Sequence, residues 1–557
     1  MPGWRTIIAA ADAWITHPYV QVALLRPHIR RQHEMAAIIP TNDHTMRILP
    51  QSPMRQGIPA VVLALAWAPE TGPLLVAAMR WVHSAAMTSS ELASADMTAT
   101  APSGLPSSYG TDPGDPSRAE IVGGVGQQLS SDEVSTFVTR ALARADLDDK
   151  RVCVVVPDGT RSCPLPLLMR AVHPALEGRA KEVTVVIALG THQGMSEDHL
   201  ARHLGYSAGA AEETYPGWTI LNHESWLPET FTTLGTISAE RLTELTGGLM
   251  QDISVDVRIN RHVAEADVAI VVGPVFPHEV VGFSGGNKYF FPGVSGQELI
   301  DLSHWVGALI TSGRMIGTRG VTPVRALVNE AATLIPAARL ALCLVVASGT
   351  DTLHAAAFGT PEDAWAACAA ISAETHISYR ETPVKRVLSI MPTKYEDIWT
   401  AAKGFYKLEP IVADGGEVII YAPHITQVSV MHPHITEIGY HCRDYFLGQW
   451  ERFKDQPWGD LAHSTHLRGQ GTWDPEHGER DRVTVTLATG IPEEVVRSVN
   501  LNYLDPATLD IAAYEADPET FVEPHAGEVL YRLRPAASGT GAGEADGRQP
   551  SPSGLDG

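Results

Sequence analysis

The segment 276–296, FPHEVVGFSGGNKYFFPGVSG, most constrains what this chain can fold into. It places a histidine, a lysine and seven Gly or Pro residues in one short passage. An apolar run bounded by turn signals precedes it, DVAIVVG over 267–273, and reads as a buried strand of a parallel sheet. The following residues, 297–305, read as a helix. Strand, glycine-rich loop and helix together bring backbone N–H groups close to a phosphate or a cofactor. The loop carries His278 and Lys288, and the helix carries His304. It is not a Walker A loop, because no Gly-Lys-Ser/Thr follows the glycines.

Two more apolar runs end in polar residues. The strand expected at 152–156 runs into Asp158-Gly-Thr-Arg161, and the one at 183–189 runs into Gly190-Thr-His192. Open α/β sheets bind ligands at the carboxyl ends of parallel strands. Together, DGTR, GTH, PH…GFSGG.K..PGVSG and the later helical His304 resemble the lactate racemase family, the nickel-pincer-nucleotide enzymes. The resemblance runs from about residue 119 to about residue 503.

It implies a two-domain α/β fold, with parallel sheets flanked by helices and the active site in the interdomain cleft. It also implies a nicotinate-derived mononucleotide that binds nickel through sulfur, carbon and sulfur. Lys288 matches the lysine that carries this group covalently, His304 the nickel-binding histidine, and His192 and His278 the pair that exchanges protons with substrate. Asp158, Gly285 and Gly286 fall on cofactor-binding positions, and Arg161 and Lys403 on substrate-binding ones. Many relatives have Gln where this chain has Thr400, which puts that hydrogen bond in question. The implied activity is an isomerase that inverts C2 of a 2-hydroxy acid, with cofactor-assembly proteins as partners.

The residue types suit that chemistry. Taking the C2 hydrogen as a proton beside an ionised carboxylate builds a second negative charge. Taking it as hydride, while a base accepts the hydroxyl proton, gives a neutral ketone instead. Histidine, with an unperturbed pKa of about 6.5, serves as acid or base near neutrality, and two of them serve one antipode each. Arg161 offers a planar fork for the carboxylate. Taken singly, each residue has a plainer role. Asp158 suits a turn, His192 sits near a helix start at Ser196, His304 fits an apolar helix face, and Lys403 fits a solvated surface.

A net charge of −23 argues against nucleic acid and anionic membranes as partners. The five cysteines are scattered without metal spacing, and Cys153 and Cys343 lie in apolar strands, as expected of a cytoplasmic protein. The apolar stretch 58–82 is broken by Pro69 and Pro73 and makes a poor membrane span. Four parts are expected: an N-terminal extension (1–118) ending in a Pro/Gly/Ser linker at 101–118, a cofactor-binding catalytic domain (119–382), a substrate lobe (383–535) and a disordered tail (536–557). A helix is expected at 130–145, and strands at 387–391 and 415–421.

The substrate lobe contains LAHSTHLRG at 461–469, read as a loop because of its glycine. His463, Ser464, His466 and Arg468 would there meet the extra hydroxyls of a sugar acid. A short-chain, lactate-type racemase is the alternative. Readings from other classes are a metal-dependent sugar-acid hydro-lyase and a non-catalytic nickel- or nucleotide-binding protein.

Overall fold

The structure, a computed structural model, describes residues 109–534 apart from Thr191, together with the backbone of 36–40 and 46–50. Those two short segments pair as an antiparallel hairpin in a unit (Met1–Met87) separate from the one that carries the rest (Thr88–Gly557). Apart from 109–118, the remainder of the expected N-terminal extension lies outside the described residues, as does the tail 536–557. The expected linker is anchored at its C-terminal end: Tyr109 is buried, Asp115 N–H donates to Asp363 at 2.7 Å, and Asn329 donates to Asp112 O at 3.1 Å.

The first sheet has seven strands: β1 (Glu120–Gly123), β2 (Arg151–Pro157), β3 (Glu182–Ala188), β4 (Trp218–Asn222), β5 (Val268–Pro274), β6 (Ala338–Val346) and β7 (Leu353–Gly359). Their spatial order is β1-β7-β6-β5-β2-β3-β4. The five strands from β6 to β4 are parallel, and β7 and β1 add an antiparallel edge. The continuous apolar runs follow from burial on both faces. In β2, Cys153 and Val155 enter one hydrophobic core while Val152, Val154 and Val156 enter the other. β5 and β6 alternate in the same way, the period of two that a pleated strand imposes.

A helix, α1 (Ser131–Ala143), covers one face and begins one residue later than its cap: Ser130 accepts from Glu133 N–H and Glu133 reaches back to Ser130 N–H. The second sheet is all parallel, with β8 (Val384–Ile390), β9 (Val412–Ala422), β10 (Val483–Thr489), β11 (Asn502–Tyr503) and β12 (Thr520–Glu523) in the order β11-β10-β9-β8-β12. The chain is thus an α/β protein with two helix-flanked sheets. All five cysteines are free and buried. Among the described residues, no helix is long and apolar enough to cross a membrane.

Candidate active site

In the first sheet the chain order reverses between β2 and β5, which are neighbours. The crevice at such a switch point is where open α/β sheets hold ligands. The loops leaving β2, β3 and β5 bring Asp158, Arg161, His192 and His278 there, and the second lobe faces them with Trp399, Lys403, Tyr406, His463 and His466. These residues line one cavity of about 120 Å³ with Lys288 and His304.

Burial and bonding hold the glycine-rich loop rigidly. Gly285 (φ 84°) and Gly286 (φ 57°) take backbone conformations that side chains disfavour, and a Cβ on Gly285 would lie 2.5 Å from Val275 Cγ2. The buried guanidinium of Arg325 donates to Gly285 O at 3.0 Å and to Phe283 O, while Trp365 Nε1–H donates to Ser284 O at 3.0 Å. Asn287 donates to Asn329 and Glu362. Lys288 therefore enters the cavity from a fixed backbone. Burial, aided by the charge of Arg161, lowers its amine to about 7.

His304 lies on α2 (Gln297–Ile310). Its Nδ1 is 2.6 Å from Ile300 O, so Nδ1 carries the proton and Nε2 keeps a lone pair. Burial and the nearby Lys288 lower this ring to about 3, so it is neutral at ordinary pH. Among the described residues, no three His, Cys, Asp or Glu side chains converge as a metal site. A metal at His304 would draw its other donors from a bound group.

The two candidate acid–base histidines differ in their surroundings. His192 Nδ1 lies 2.5 Å from Asp158 Oδ2, so Nε2 is the nitrogen left free. Burial opposes the charge on Asp158, but His192 and two hydrogen bonds from Thr160 outweigh it and hold the carboxyl well below its usual range. His278 Nδ1 instead accepts from Val280 N–H at 3.2 Å, which leaves the proton of the neutral ring on Nε2. Burial, with Lys288 and Arg161 nearby, pushes His278 well below its usual range. Glu279 Oε2 lies 3.2 Å from the same Nδ1 and favours the ring once it takes a second proton.

Lys403 opens the short helix α3 (Lys403–Tyr406) and is buried rather than a solvated surface lysine. Burial, with Arg161 nearby, lowers it to about 8. Thr400 commits its hydroxyl to Asp397 at 2.8 Å and does not line the cavity.

The stretch read as a loop is a helix, α4 (Trp458–Arg468), which packs on α2 and anchors there through Gly459 N–H to Asp301 at 2.9 Å. The glycine that suggested a loop, Gly469, is its C-cap, at a positive φ of 79° that suits glycine. This geometry divides the four polar residues. His463 and His466 line the cavity. Arg468 turns away to pair with Asp481 at 2.6 Å and to donate to Asn500 O, and Ser464 ties Gly439 O to His441 N–H. Helical periodicity separates them: His463 and His466, three apart, share the face toward the cavity, and Ser464 and Arg468, four apart, share a face that knits the second lobe.

Residues not read as functional from the sequence are also present. Glu279 and Tyr406 line the cavity, and the Tyr406 hydroxyl hydrogen-bonds Glu279. Glu279 directly follows His278 in the motif already singled out, so its position was readable. Trp399 is sandwiched between the His432 and His463 rings, at 3.6 and 3.8 Å between centroids. Far along the chain, buried Glu528 accepts from Ser162 beside the DGTR turn, from Gly349 N–H and from Lys394, and its carbonyl accepts from Lys407. No local pattern marks it.

A fold with this switch-point cavity has solved counterparts. A crystal structure of a protein from Thermotoga maritima superposes with a TM-score of 0.67 at 30% identity, covering 74% of this chain and 100% of that one. The lactate racemase apoprotein from Thermoanaerobacterium thermosaccharolyticum superposes at 0.55 with 19% identity, covering 72% of this chain and 93% of that one. Residues 135–316 match the lactate racemase N-terminal domain. In sequence, the chain is 26% identical over 159 residues to a lactate racemase of T. thermosaccharolyticum, a match that spans 28% of this chain and 32% of that relative. The chain is thus similar to lactate racemases, in sequence over its N-terminal catalytic part and in fold over most of its described length.

Proposed function

We propose that the protein is a racemase or epimerase that inverts C2 of a 2-hydroxy acid with a nickel-pincer nucleotide carried on Lys288. One observation carries this reading: Lys288, His304, His192, His278 and Arg161 line a single cavity. The residues fit the group. Lys288 has a buried amine near the neutral, nucleophilic form, and His304 offers a neutral ring with its Nε2 lone pair free. When bound, the pincer group would be held by Lys288 and His304 and would supply an electrophilic carbon competent for reversible hydride transfer.

The protein's share of the reaction is positioning and proton transfer. Arg161 and Lys403 hold the substrate carboxylate and neutralise it in a buried site. His192, with its Nδ1 proton fixed on Asp158, accepts the hydroxyl proton at Nε2. His278 donates in its doubly protonated form, with Nδ1–H directed at Glu279: it gives its Nε2 proton to the substrate oxygen as the C2 hydrogen returns and is left neutral. In the reverse direction the two exchange roles, and Glu279 supports the protonated His278 ring. The buried wall around them excludes water.

The test uses protein produced alongside cofactor-assembly proteins. Intact mass should show Lys288 carrying an adduct on the order of several hundred daltons, as a modified mononucleotide requires. Lys288→Ala should lack both adduct and inversion of 2-hydroxy acids. Active enzyme of unmodified mass would overturn the reading.

A further inference from the structure

The C-terminal wall of the cavity is rich in unused acceptors. His463 Nε2 lies 2.9 Å from Trp399 O and so carries the ring proton, which leaves Nδ1 as a lone pair. That Nδ1 is buried without a partner. His466, one turn further along α4, has neither ring nitrogen partnered although the residue is 3% exposed. Glu279 faces the same region. Its carboxylate meets His278 Nδ1 at 3.2 Å and the Tyr406 hydroxyl, which leaves further lone pairs free. The Tyr406 and His466 rings meet edge to face at 6.4 Å, so Glu279, Tyr406 and His466 form one cluster.

Buried polar atoms are ordinarily satisfied, and exceptions inside a cavity point to a ligand. A methyl group satisfies none of these. A second carboxylate would meet Glu279 as a like charge in a buried site. Hydroxyls fit, because each donates to a carboxylate or an imidazole lone pair and accepts in return from a ring N–H. We propose that Glu279, His463 and His466 form a hydroxyl-binding subsite that selects a monocarboxylic 2-hydroxy acid bearing further hydroxyls along its chain.

This rests on the epimerase reading and deepens it. Arg161 and Lys403 then take the single carboxylate, C2 faces the two catalytic histidines, and the polyol end lies against α4. The specificity comes from acceptors, not from the arginine at the end of that helix.

The test compares kcat/KM for C2 inversion of gluconate, lactate and malate by cofactor-loaded wild type, Glu279→Gln and His466→Leu. Wild type should prefer gluconate to lactate by about tenfold or more, the scale of hydrogen bonds to a charged or buried group. Each variant should lower the gluconate-to-lactate ratio by about tenfold, and Glu279→Gln should raise the malate-to-lactate ratio by a similar factor. Each substitution removes one acceptor of the cluster, so one folded variant is enough to decide. Lactate preferred by wild type, or ratios unmoved in a folded variant, would overturn the subsite and leave the epimerase standing. Inversion of no 2-hydroxy acid at all would remove both.

Discussion

His192 and Asp158 form a part-buried imidazole–carboxylate pair with Nδ1 and Oδ2 2.5 Å apart, whereas the second cavity histidine, His278, receives a backbone N–H at its Nδ1. The two rings thereby hold opposite tautomers, with Nε2 of His192 left free and the proton of His278 placed on Nε2.

Asp158→Asn removes the charge that fixes the His192 tautomer while keeping the side-chain shape. We expect kcat to fall at least about 10²-fold, the usual scale for a positioned acid or base, with a smaller change in KM. Steady-state inversion kinetics in both directions check this, and an unchanged kcat would detach Asp158 from catalysis.

His192→Ala and His278→Ala should each lose at least about 10²-fold in turnover. Both should retain nickel, and His304→Ala should lose it. Metal analysis of the purified proteins separates the two groups. Near-normal turnover in either of the first two variants would contradict the two-histidine assignment.

Much of this site was legible because it is local. Turn chemistry at DGTR, the glycine loop and the spacing of His278, Lys288 and His304 fix the first lobe's contribution within short segments. The strands read as continuous apolar runs because both faces are buried, and their ends fell within a few residues of those observed. What was not legible depends on tertiary contacts. Nothing in LAHSTHLRG shows that Gly469 caps a helix, or that Arg468 finds Asp481 instead of the cavity. Glu528 acts across the fold on Ser162, 366 residues away in sequence.

Glu528 should be a stability residue. Its buried carboxylate joins Lys394, Gly349 N–H and Ser162, so Glu528→Ala leaves several groups without their partner. Breaking such a pair costs about 3 kcal/mol. Urea denaturation should show a loss of this size, and Glu528→Gln, which keeps an acceptor, should lose less. Equal stability of wild type and Glu528→Ala would show that these bonds contribute nothing net.

Asp301 gives a pH dependence. It sits on α2 against Gly459 and Asp460 of α4, and burial with the Asp460 charge raises its carboxyl from 3.8 to about 7. The native state then holds a proton that the unfolded chain has released. Asp301's contribution is full below pH 4 and is lost as pH rises through about 7. Asp301→Asn does not titrate, so its stability relative to wild type should improve between pH 5 and pH 8. The expected gain is on the order of 2 kcal/mol after discounting for its partial exposure. Thermal melts of both proteins at the two pH values check this, and a constant difference would mean that Asp301 is not raised.

The most direct test follows the C2 hydrogen. Cofactor-loaded enzyme is incubated in deuterated water with one C2 epimer of a polyhydroxylated 2-hydroxy acid, and the product is read by NMR for configuration and for deuterium at C2. Hydride transfer with histidines handling only the hydroxyl proton predicts the inverted epimer with its C2 hydrogen retained. Deuterium at C2 of the inverted product, or a keto acid formed with loss of water, would contradict it.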